Sequence, residues 1–593
     1  MRNPARHHQQ AIDKRRRDFA LLSIALLIAA AVAASFIDFP PGDSWTHGWT
    51  VQSWLDGKFV LNQWVSTLAL PQQILGWLVN FGAKAVMWSR LSVMTAVVTV
   101  LGILLAARLP ARLFPQWPQL KEWAPLFAIV ALAPTFTLKV ATGFMTDGYY
   151  LFFLTSSLWL LLGILNEPDQ SNASWIRRWV GFAALGTLAA LQRTHGLVLL
   201  SMVGIWVLFA KAYGKGESKV GGTGWRGWRR WFAIGVCAIG FILSLAIIQN
   251  PALRPTRALE VTQDMIRFWR GQEMPLDQVG LDRIRLIFRI LQHLGLALLP
   301  LALIARLDGF VAERKSGKRA MNWWYILGGT VFLLYAIRLY VTAQELFPYL
   351  GNSLTPEGFG PRADTIALTA GHMLPEWERL LLTLAGTIGG MVLIWILSRT
   401  VKIRAVDWRA PSTLIGLLGV VHLGLVFLTP DFFFDRYLLP LLPFAFCWLA
   451  LVLKDIQPKA RLIGWMVVIP LLVWSIWGTA DALDWTKSKW DLAAELRSRG
   501  VAANEIVGGY EVDGFYNYSG YAYHDPNRPV TRAVRLASGF WWIDDFAWNI
   551  RPVFVIVEKG AKIEGTRLRR YRHTGIMNDR MEVLAAPGVD VSR

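Results

Sequence analysis

A succession of about thirteen apolar runs constrains the fold of this 593-residue chain more than any other feature. Most runs are about 17–23 residues long, which is what a helix needs to cross roughly 30 Å of hydrocarbon. Hydrophobic residues make up 54% of the chain, a fraction too high for a soluble protein of this length. The sequence therefore predicts an all-α polytopic membrane protein.

The predicted spans have approximate boundaries, and two of them are short enough to be half-buried helices instead. A cleaved signal peptide is the alternative for the first run, but that run is long enough to span, and we interpret it as span one. The spans are 19–37, 86–107, 123–140, 147–165, 179–191, 196–210, 231–248, 284–305, 323–342, 379–398, 411–428, 436–453 and 462–479.

Charge gives the orientation of these spans. The chain carries 61 basic and 41 acidic residues, a net charge of +20. In a soluble protein such an excess would suggest nucleic acid, but here most of it lies in alternate short loops, as the positive-inside rule describes. We therefore predict no nucleic-acid partner, a cytoplasmic basic N-terminus at 1–18, and a multi-pass location in the inner or plasma membrane.

With this orientation, the hydrophilic tail lies on the outer side of the membrane. Within it, Leu492–Arg499 has the pattern of an amphipathic helix, while Glu505–Val512 and Pro552–Glu558 have that of strands. The predicted organisation is thus a membrane domain at 19–481 and a small extracytoplasmic α/β domain at 482–593.

Asp43 follows the first span and lies in the predicted outer loop 38–85. One interpretation is that it caps the helix that starts after Gly42. The other is that its carboxylate is a general base, held at the boundary between water and lipid. Asp147 opens a later span on the same predicted side, and it too is either a helix cap or part of a functional site.

Three basic candidates face the same side. Arg193, in the polar turn Gln192–Gly196, suits a phosphate contact because guanidinium offers forked donors, although an interfacial anchor is the alternative. His195 in that turn is expected to orient or hydrogen-bond rather than bind a metal. Arg338 lies near the outer end of a span, so it should face a polar cavity or snorkel outward.

Arg436 and Tyr437 lie in a later polar stretch. Arg436 either pairs with the neighbouring Asp435 at the surface or contacts a phosphate or diphosphate at the mouth of a cavity. The chain shows no convincing P-loop, dinucleotide fingerprint, zinc-ligand cluster or nucleophile elbow. A nucleotide-driven transporter is therefore disfavoured.

In their order and common sidedness, these features resemble a known family. An Asp in the first outer loop, Thr146-Asp147 opening a later span, the turn Gln192–Gly196 and the string RYLLPLLP at 436–443 look like the polyprenyl-phosphate-sugar-dependent glycosyltransferases of the GT-C fold. This family includes protein O-mannosyltransferases and the lipid A aminoarabinose transferase. The chain departs from many members in having Ser44 after Asp43 and in lacking a basic residue before Pro71.

The resemblance implies a sugar donor carried on polyprenyl phosphate, an extracytoplasmic acceptor and an inverting displacement in contact with membrane lipid. It implies Asp43 as catalytic base and Asp147 as a second catalytic acidic residue. Substrate contacts would come from a further set: Arg193, His195, Arg338, Arg436 and Tyr437. It requires no cofactor, although some relatives use a divalent metal between acidic residues.

Three other functions are compatible with parts of the pattern. A flippase or transporter of lipid-linked sugars would place its ionisable residues near the midplane and often show repeated halves; here the carboxylates lie at span mouths and no repeat is visible. An oligosaccharide ligase using diphosphate lipids, and a structural subunit whose tail docks a partner, are the remaining alternatives.

Overall fold

Helices dominate the structure, a computed structural model, in the part of the chain that it describes. The described residues are 4–65, 67–167, 171–209, 228–251, 253–272, 275–316, 323–343, 346–348, 353–360, 362–363, 365–400, 407, 410–428, 434–518, 541–561, 572–577 and 579–585. The helices are α1 Pro4–Ser35, α2 Ser44–Leu55, α3 Leu70–Val79, α4 Trp88–Leu113, α5 Ala124–Leu132, α6 Thr135–Thr142, α7 Thr146–Asn166, α8 Asn172–Gln192, α9 Gly196–Phe209, α10 Trp228–Gln249, α11 Thr256–Trp269, α12 Leu276–Ser316, α13 Trp323–Ala343, α14 Glu376–Thr400, α15 Pro411–Leu428, α16 Leu442–Leu453, α17 Arg461–Ser498, α18 Tyr510–Asn517 and α19 Trp541–Asp545.

The strands are short and fall into two sheets. They are β1 Leu354–Thr355, β2 Gly358–Phe359, β3 Ile506–Val507, β4 Phe554–Glu558, β5 Arg572–Met577 and β6 Met581–Ala585. Short 3₁₀ helices lie at Pro118–Glu122, Asp435–Leu441, Pro458–Ala460 and Ala503–Glu505.

Every predicted span coincides with helix in the described residues. Nine helices there are long and apolar enough to cross a membrane, or ten if a bent pair is one span. That pair is α5 and α6, which meet at 76°, so the helix at the span predicted for 123–140 is bent. Pro134, at the break, lacks the amide donor that a continuous helix would use. The predicted polytopic fold class is confirmed, while the sidedness of the membrane stays a prediction.

Close helix contacts in the bundle depend on glycine. A Cβ atom on Gly295 of α12 would lie 2.3 Å from the backbone nitrogen of Gly390 in α14. Small residues let two backbones approach in this way inside a membrane, where close packing replaces the hydrophobic effect as the force between helices. The α12–α14 pair forms a large part of the bundle wall.

The C-terminal region begins inside a helix. α17 runs for 38 residues without a break through position 482, the predicted domain boundary, and its last turns bury Trp485 and Leu492 against the sheet. The sheet order is β3-β4-β6-β5, with β3 and β4 parallel and the other neighbours antiparallel. The predicted small α/β region is thereby confirmed.

One of its predicted strands is shorter than expected. The pattern predicts a strand over Glu505–Val512, but β3 covers only Ile506–Val507. Gly509 has φ of +97°, a conformation that favours glycine, and it turns the chain into α18. The strand predicted at Pro552–Glu558 is present as the fully buried β4.

The segment 365–370 ties the membrane domain to the C-terminal region. The Tyr510 amide donates to the Thr365 carbonyl at 3.1 Å, and the Glu558 amide donates to the Leu368 carbonyl at 3.0 Å.

A buried ion pair lies in the same region. The Lys489 ammonium lies 2.6 Å from the carboxylate of Glu511 and is fully buried. A buried ion pair of this kind is strongly destabilised when one partner is removed, because the other charge is left uncompensated.

We expect Lys489→Met to lower the free energy of unfolding by ~3–5 kcal/mol, because Glu511 then lies buried without its cation. The measurement is thermal unfolding of the detergent-solubilised protein, followed by tryptophan fluorescence. Lys487→Met is the matched control, since Lys487 binds the exposed Asp491 at 2.9 Å on the same helix, and we expect it to cost less than ~1 kcal/mol. Equal losses in the two variants would contradict the assignment.

Candidate active site

Asp43 lies at the end of a sharp turn. Gly42 has φ of +56°, and α2 starts at Ser44. Asp43 precedes the helix as a capping residue would, but its side chain makes no capping hydrogen bond. Its Oδ2 instead accepts from Arg436 Nη2 at 2.8 Å, and its Oδ1 accepts from the Tyr510 hydroxyl at 2.9 Å. Helix capping therefore does not account for this carboxylate.

Asp147 lies in the first turn of α7 and is fully buried. Its Oδ1 is 2.8 Å from Arg193 Nη2, and its Oδ2 is 3.8 Å from Arg436 Nε. The residue before α7 is Met145, so Asp147 is not its cap. The structure thus places the Arg436 guanidinium between the two predicted carboxylates. Arg193 lies on the other side of Asp147, so acidic and basic groups alternate along the cluster.

Arg436 comes from the 3₁₀ helix that starts at Asp435. Its side chain is 8% exposed, and its guanidinium lies 4.9 Å from the centroid of the Phe434 ring. Its Nη1 is buried and has no hydrogen-bond partner in the described structure. Buried donors of charged groups are rarely left unpaired, so this nitrogen is suited to an anionic ligand.

Arg193 follows α8 directly and is oriented by its neighbours. Its Nε and Nη2 donate to the Thr146 hydroxyl at 3.2 and 3.1 Å, and its guanidinium lies 5.1 Å from the Tyr437 ring centroid. His195, two residues later, is half-buried; burial and the charge of Arg193 lower its pKa to about 3. His195 is therefore neutral at pH 7 and lies beside the predicted phosphate contact.

The four charged side chains differ in exposure. Asp43 is 36% exposed, whereas Arg193 is 13%, Arg436 is 8% and Asp147 is 0% exposed. Burial by itself would raise the pKa of Asp43, but the charge and hydrogen bond of Arg436 outweigh it and lower that pKa below its usual value. Asp43 is thus an ionised carboxylate open to a reactant, while Asp147 is sealed behind the arginines.

Two further charged residues belong to the cluster, although their sequence pattern does not predict it. Lys139, half-buried near the end of α6, interacts electrostatically with Asp43 and Asp435. Asp435 is buried and accepts the backbone amides of Ser353 and Leu354 at 3.1 Å. The interpretation of Asp435 as a surface partner of the Arg436 side chain is wrong, because the buried Asp435 carboxylate binds the backbone at Ser353 and Leu354 instead.

Arg338 is placed apart from this cluster. It lies on α13 with an exposed side chain, whereas the two arginines of the cluster are largely buried. The sequence offered two expectations for Arg338, a polar cavity or an outward-pointing side chain. The exposed position agrees with the second of these expectations.

Among the described residues, no three His, Cys, Asp or Glu side chains are grouped to hold a metal ion. Both carboxylates at the centre already face guanidinium groups, which supply the compensating positive charge.

No family model matches the chain, and no curated protein matches it. Solved structures do show similarity. ArnT from Cupriavidus metallidurans bound to undecaprenyl phosphate matches with a TM-score of 0.40 and 12% identity, over 82% of this chain and 73% of that one. The archaeal oligosaccharyltransferase AglB from Archaeoglobus fulgidus, in complex with an inhibitory peptide and a dolichol-phosphate, matches with a TM-score of 0.43 and 12% identity, over 91% and 69%.

An apo form of the Archaeoglobus fulgidus oligosaccharyltransferase matches with a TM-score of 0.35 and 13% identity, over 79% of this chain and 57% of that one. TM-scores below 0.5 at such identities do not establish a shared activity. The function of this chain therefore rests on the geometry of its own site.

Proposed function

We propose that the chain is an integral-membrane glycosyltransferase that moves a sugar from a polyprenyl-phosphate carrier to an acceptor on the outer side of the membrane. The observation that carries this proposal is the pairing of Asp43, ionised and open, with Arg436, which has an unpartnered donor. A base and an anion site thus adjoin each other beside membrane-spanning helices.

Asp43 acts as the general base. The acceptor hydroxyl or amine donates its proton to the Asp43 carboxylate as its oxygen or nitrogen attacks the anomeric carbon of the sugar. A new glycosidic bond forms on the face opposite the bond to phosphate, and the configuration inverts. The proton then passes from Asp43 to water.

Arg436 and Arg193 stabilise the leaving group. As the bond between the anomeric carbon and the phosphate oxygen breaks, its electron pair stays on the phosphate, where negative charge develops. Guanidinium groups fixed in a partly dry site stabilise such charge more effectively than mobile solvent does. Asp147, sealed between the two arginines, is a positioning residue that keeps both in place.

The proposed partners follow from the site and its surroundings. The apolar faces of the spans are in contact with membrane lipid, which would admit the polyprenyl chain from the side. The charge cluster lies where the predicted outer mouths of the spans converge, so the acceptor approaches from that side. A ligase that uses diphosphate lipids would employ the same groups, and a donor panel separates the two.

We expect purified protein to transfer or release sugar from at least one member of a panel of polyprenyl-phosphate sugars, and Asp43→Asn to abolish this turnover. The amide cannot accept the acceptor proton, so a loss of at least ~100-fold is predicted. Asp56→Asn is the matched control, since Asp56 is an exposed carboxylate on the same loop. Radiolabelled sugar transfer, with melting temperatures of all variants, is the measurement.

Near-normal turnover in Asp43→Asn would sink the assignment of the base. Binding of the lipid donor without turnover by folded wild-type protein would favour the transporter. Turnover confined to diphosphate-linked donors would favour the ligase.

We predict that kcat/KM shows no histidine-controlled step between pH 5 and 8. Burial lowers the pKa of His47, one turn after Asp43, to about 4, and that of His195 is about 3, so both stay neutral throughout this range. The lowered pKa of Asp43 keeps this base ionised throughout the same range, so no acid limb is expected there. Initial rates of transfer from pH 4 to 9 provide the test.

An acid limb with a midpoint between pH 6 and 7 would contradict this prediction. Because burial raises the pKa of Asp513 in α18 to about 7, the profile of Asp513→Asn is the control. If an acid limb between pH 6 and 7 persists in Asp513→Asn, the general base would have to be assigned to a histidine instead of Asp43.

A further inference from the structure

The C-terminal region contributes one side chain directly to the cluster. The Tyr510 hydroxyl donates to Asp43 Oδ1 at 2.9 Å across 467 positions of sequence. Arg436 already binds the other oxygen of the same carboxylate. The Asp43 carboxylate is therefore held from both sides, by a cation of the membrane domain and by a neutral donor of the C-terminal region.

The local backbone fixes the position of Tyr510. Its amide donates to the Thr365 carbonyl at 3.1 Å, and a Cβ on the preceding Gly509 would lie 2.4 Å from that same oxygen. Gly509 also has φ of +97°, so glycine is required there on two grounds. This arrangement presents Tyr510 as the first residue of α18, pointing toward the first outer loop.

The ring of Tyr510 is enclosed by other aromatic rings. Its centroid lies 5.8 Å from that of Trp45, 5.3 Å from Trp541 and 5.7 Å from Phe546. Aromatic pairs at these distances have preferred mutual geometries, so the packing favours the observed orientation of the ring. The hydroxyl is thus aimed at Asp43 before any substrate binds.

The Tyr510 hydroxyl can only be a donor to this carboxylate. Burial and the negative charge of Asp43 raise the pKa of Tyr510 well above 10, so the phenol stays protonated. A neutral donor orients Asp43 without taking its charge away. The bond also favours the ionised form of Asp43, as hydrogen bonds to a charged group do.

We infer that Tyr510 is a positioning residue of the active site, through which the C-terminal region completes the base that the membrane domain carries. This inference rests on the proposed function, because it assigns Tyr510 a task only if Asp43 is the base. Tyr510 fixes the Asp43 carboxylate so that its remaining lone pairs face the open side, where the acceptor hydroxyl approaches.

We predict that Tyr510→Phe lowers kcat by about tenfold or more, the range expected for a lost hydrogen bond to a charged group. The KM for the lipid donor should be unchanged, because the phosphate contacts are kept. The acid limb of the pH profile should move to higher pH, since the bond that lowers the pKa of Asp43 is gone. Steady-state transfer rates from pH 3 to 8, at varied donor concentration, measure kcat, the KM for the lipid donor and the position of the acid limb.

Tyr518→Phe is the matched control. Tyr518 lies in the same region, and its hydroxyl accepts from the Gln63 amide at 2.9 Å rather than contacting Asp43. We expect this variant to leave the acid limb where the wild type has it. If Tyr510→Phe does not fold, 3,5-difluorotyrosine at position 510 keeps the packing and donates more strongly, and the limb should then move to lower pH.

The outcomes separate the two proposals. If Asp43→Asn is inactive while Tyr510→Phe has normal kcat and an unmoved pH profile, the role of Tyr510 is overturned and the proposed function stands. If Asp43→Asn is active, the proposed function itself fails. An equal shift of the limb in Tyr510→Phe and Tyr518→Phe would also overturn the inference, since it would reflect a general change of the C-terminal region.

Discussion

The guanidinium of Arg436 lies between two carboxylates that the chain delivers from distant positions. Asp43, 393 positions earlier, approaches one side at 2.8 Å, and Asp147 lies 3.8 Å from the other. Taking charges out of water is costly, and a largely buried cation is tolerated when anions surround it. Loss of either carboxylate would leave positive charge uncompensated, so the positions of loop 38–85, α7 and the segment before α16 depend on each other.

The same dependence extends into the C-terminal region. α17 carries the chain out of the bundle without a break, and the segment 365–370 joins the sheet through backbone bonds to Tyr510 and Glu558. The loop that leads to this segment is bound at its start by Asp435, next to Arg436 in the chain. The C-terminal region is therefore attached to the charge cluster along several independent paths, as expected for a part of the site.

Much of the fold could be predicted from local sequence. The length of an apolar run reflects the thickness of the bilayer, so a helix could be predicted at every span, although only nine or ten helices of the described residues are long and apolar enough to cross a membrane. The charge bias predicts that Asp43, Asp147, Arg193 and Arg436 lie on one side. Lys139 was missed because it lies inside an apolar run that breaks at Pro134, a bend that hydropathy does not reveal. Tyr510 could not be predicted either, because its contact with Asp43 depends on how α18 packs against loop 38–85. The direction of the Arg338 side chain could not be predicted, because a charge near the end of a span gives the same sequence pattern whether it faces a cavity or lipid.

The most direct test of this account is the affinity of the sugar-free product, polyprenyl phosphate, for wild-type protein, Arg436→Gln and Arg338→Gln. Quenching of tryptophan fluorescence in detergent, with the neutral polyprenol as reference, gives the contribution of the phosphate alone. We expect Arg436→Gln to weaken binding by at least ~10-fold, as for a lost charge-assisted contact, and Arg338→Gln to bind as the wild type does. Unchanged affinity in Arg436→Gln, with the variant folded, would contradict the claim that this cluster receives the departing phosphate.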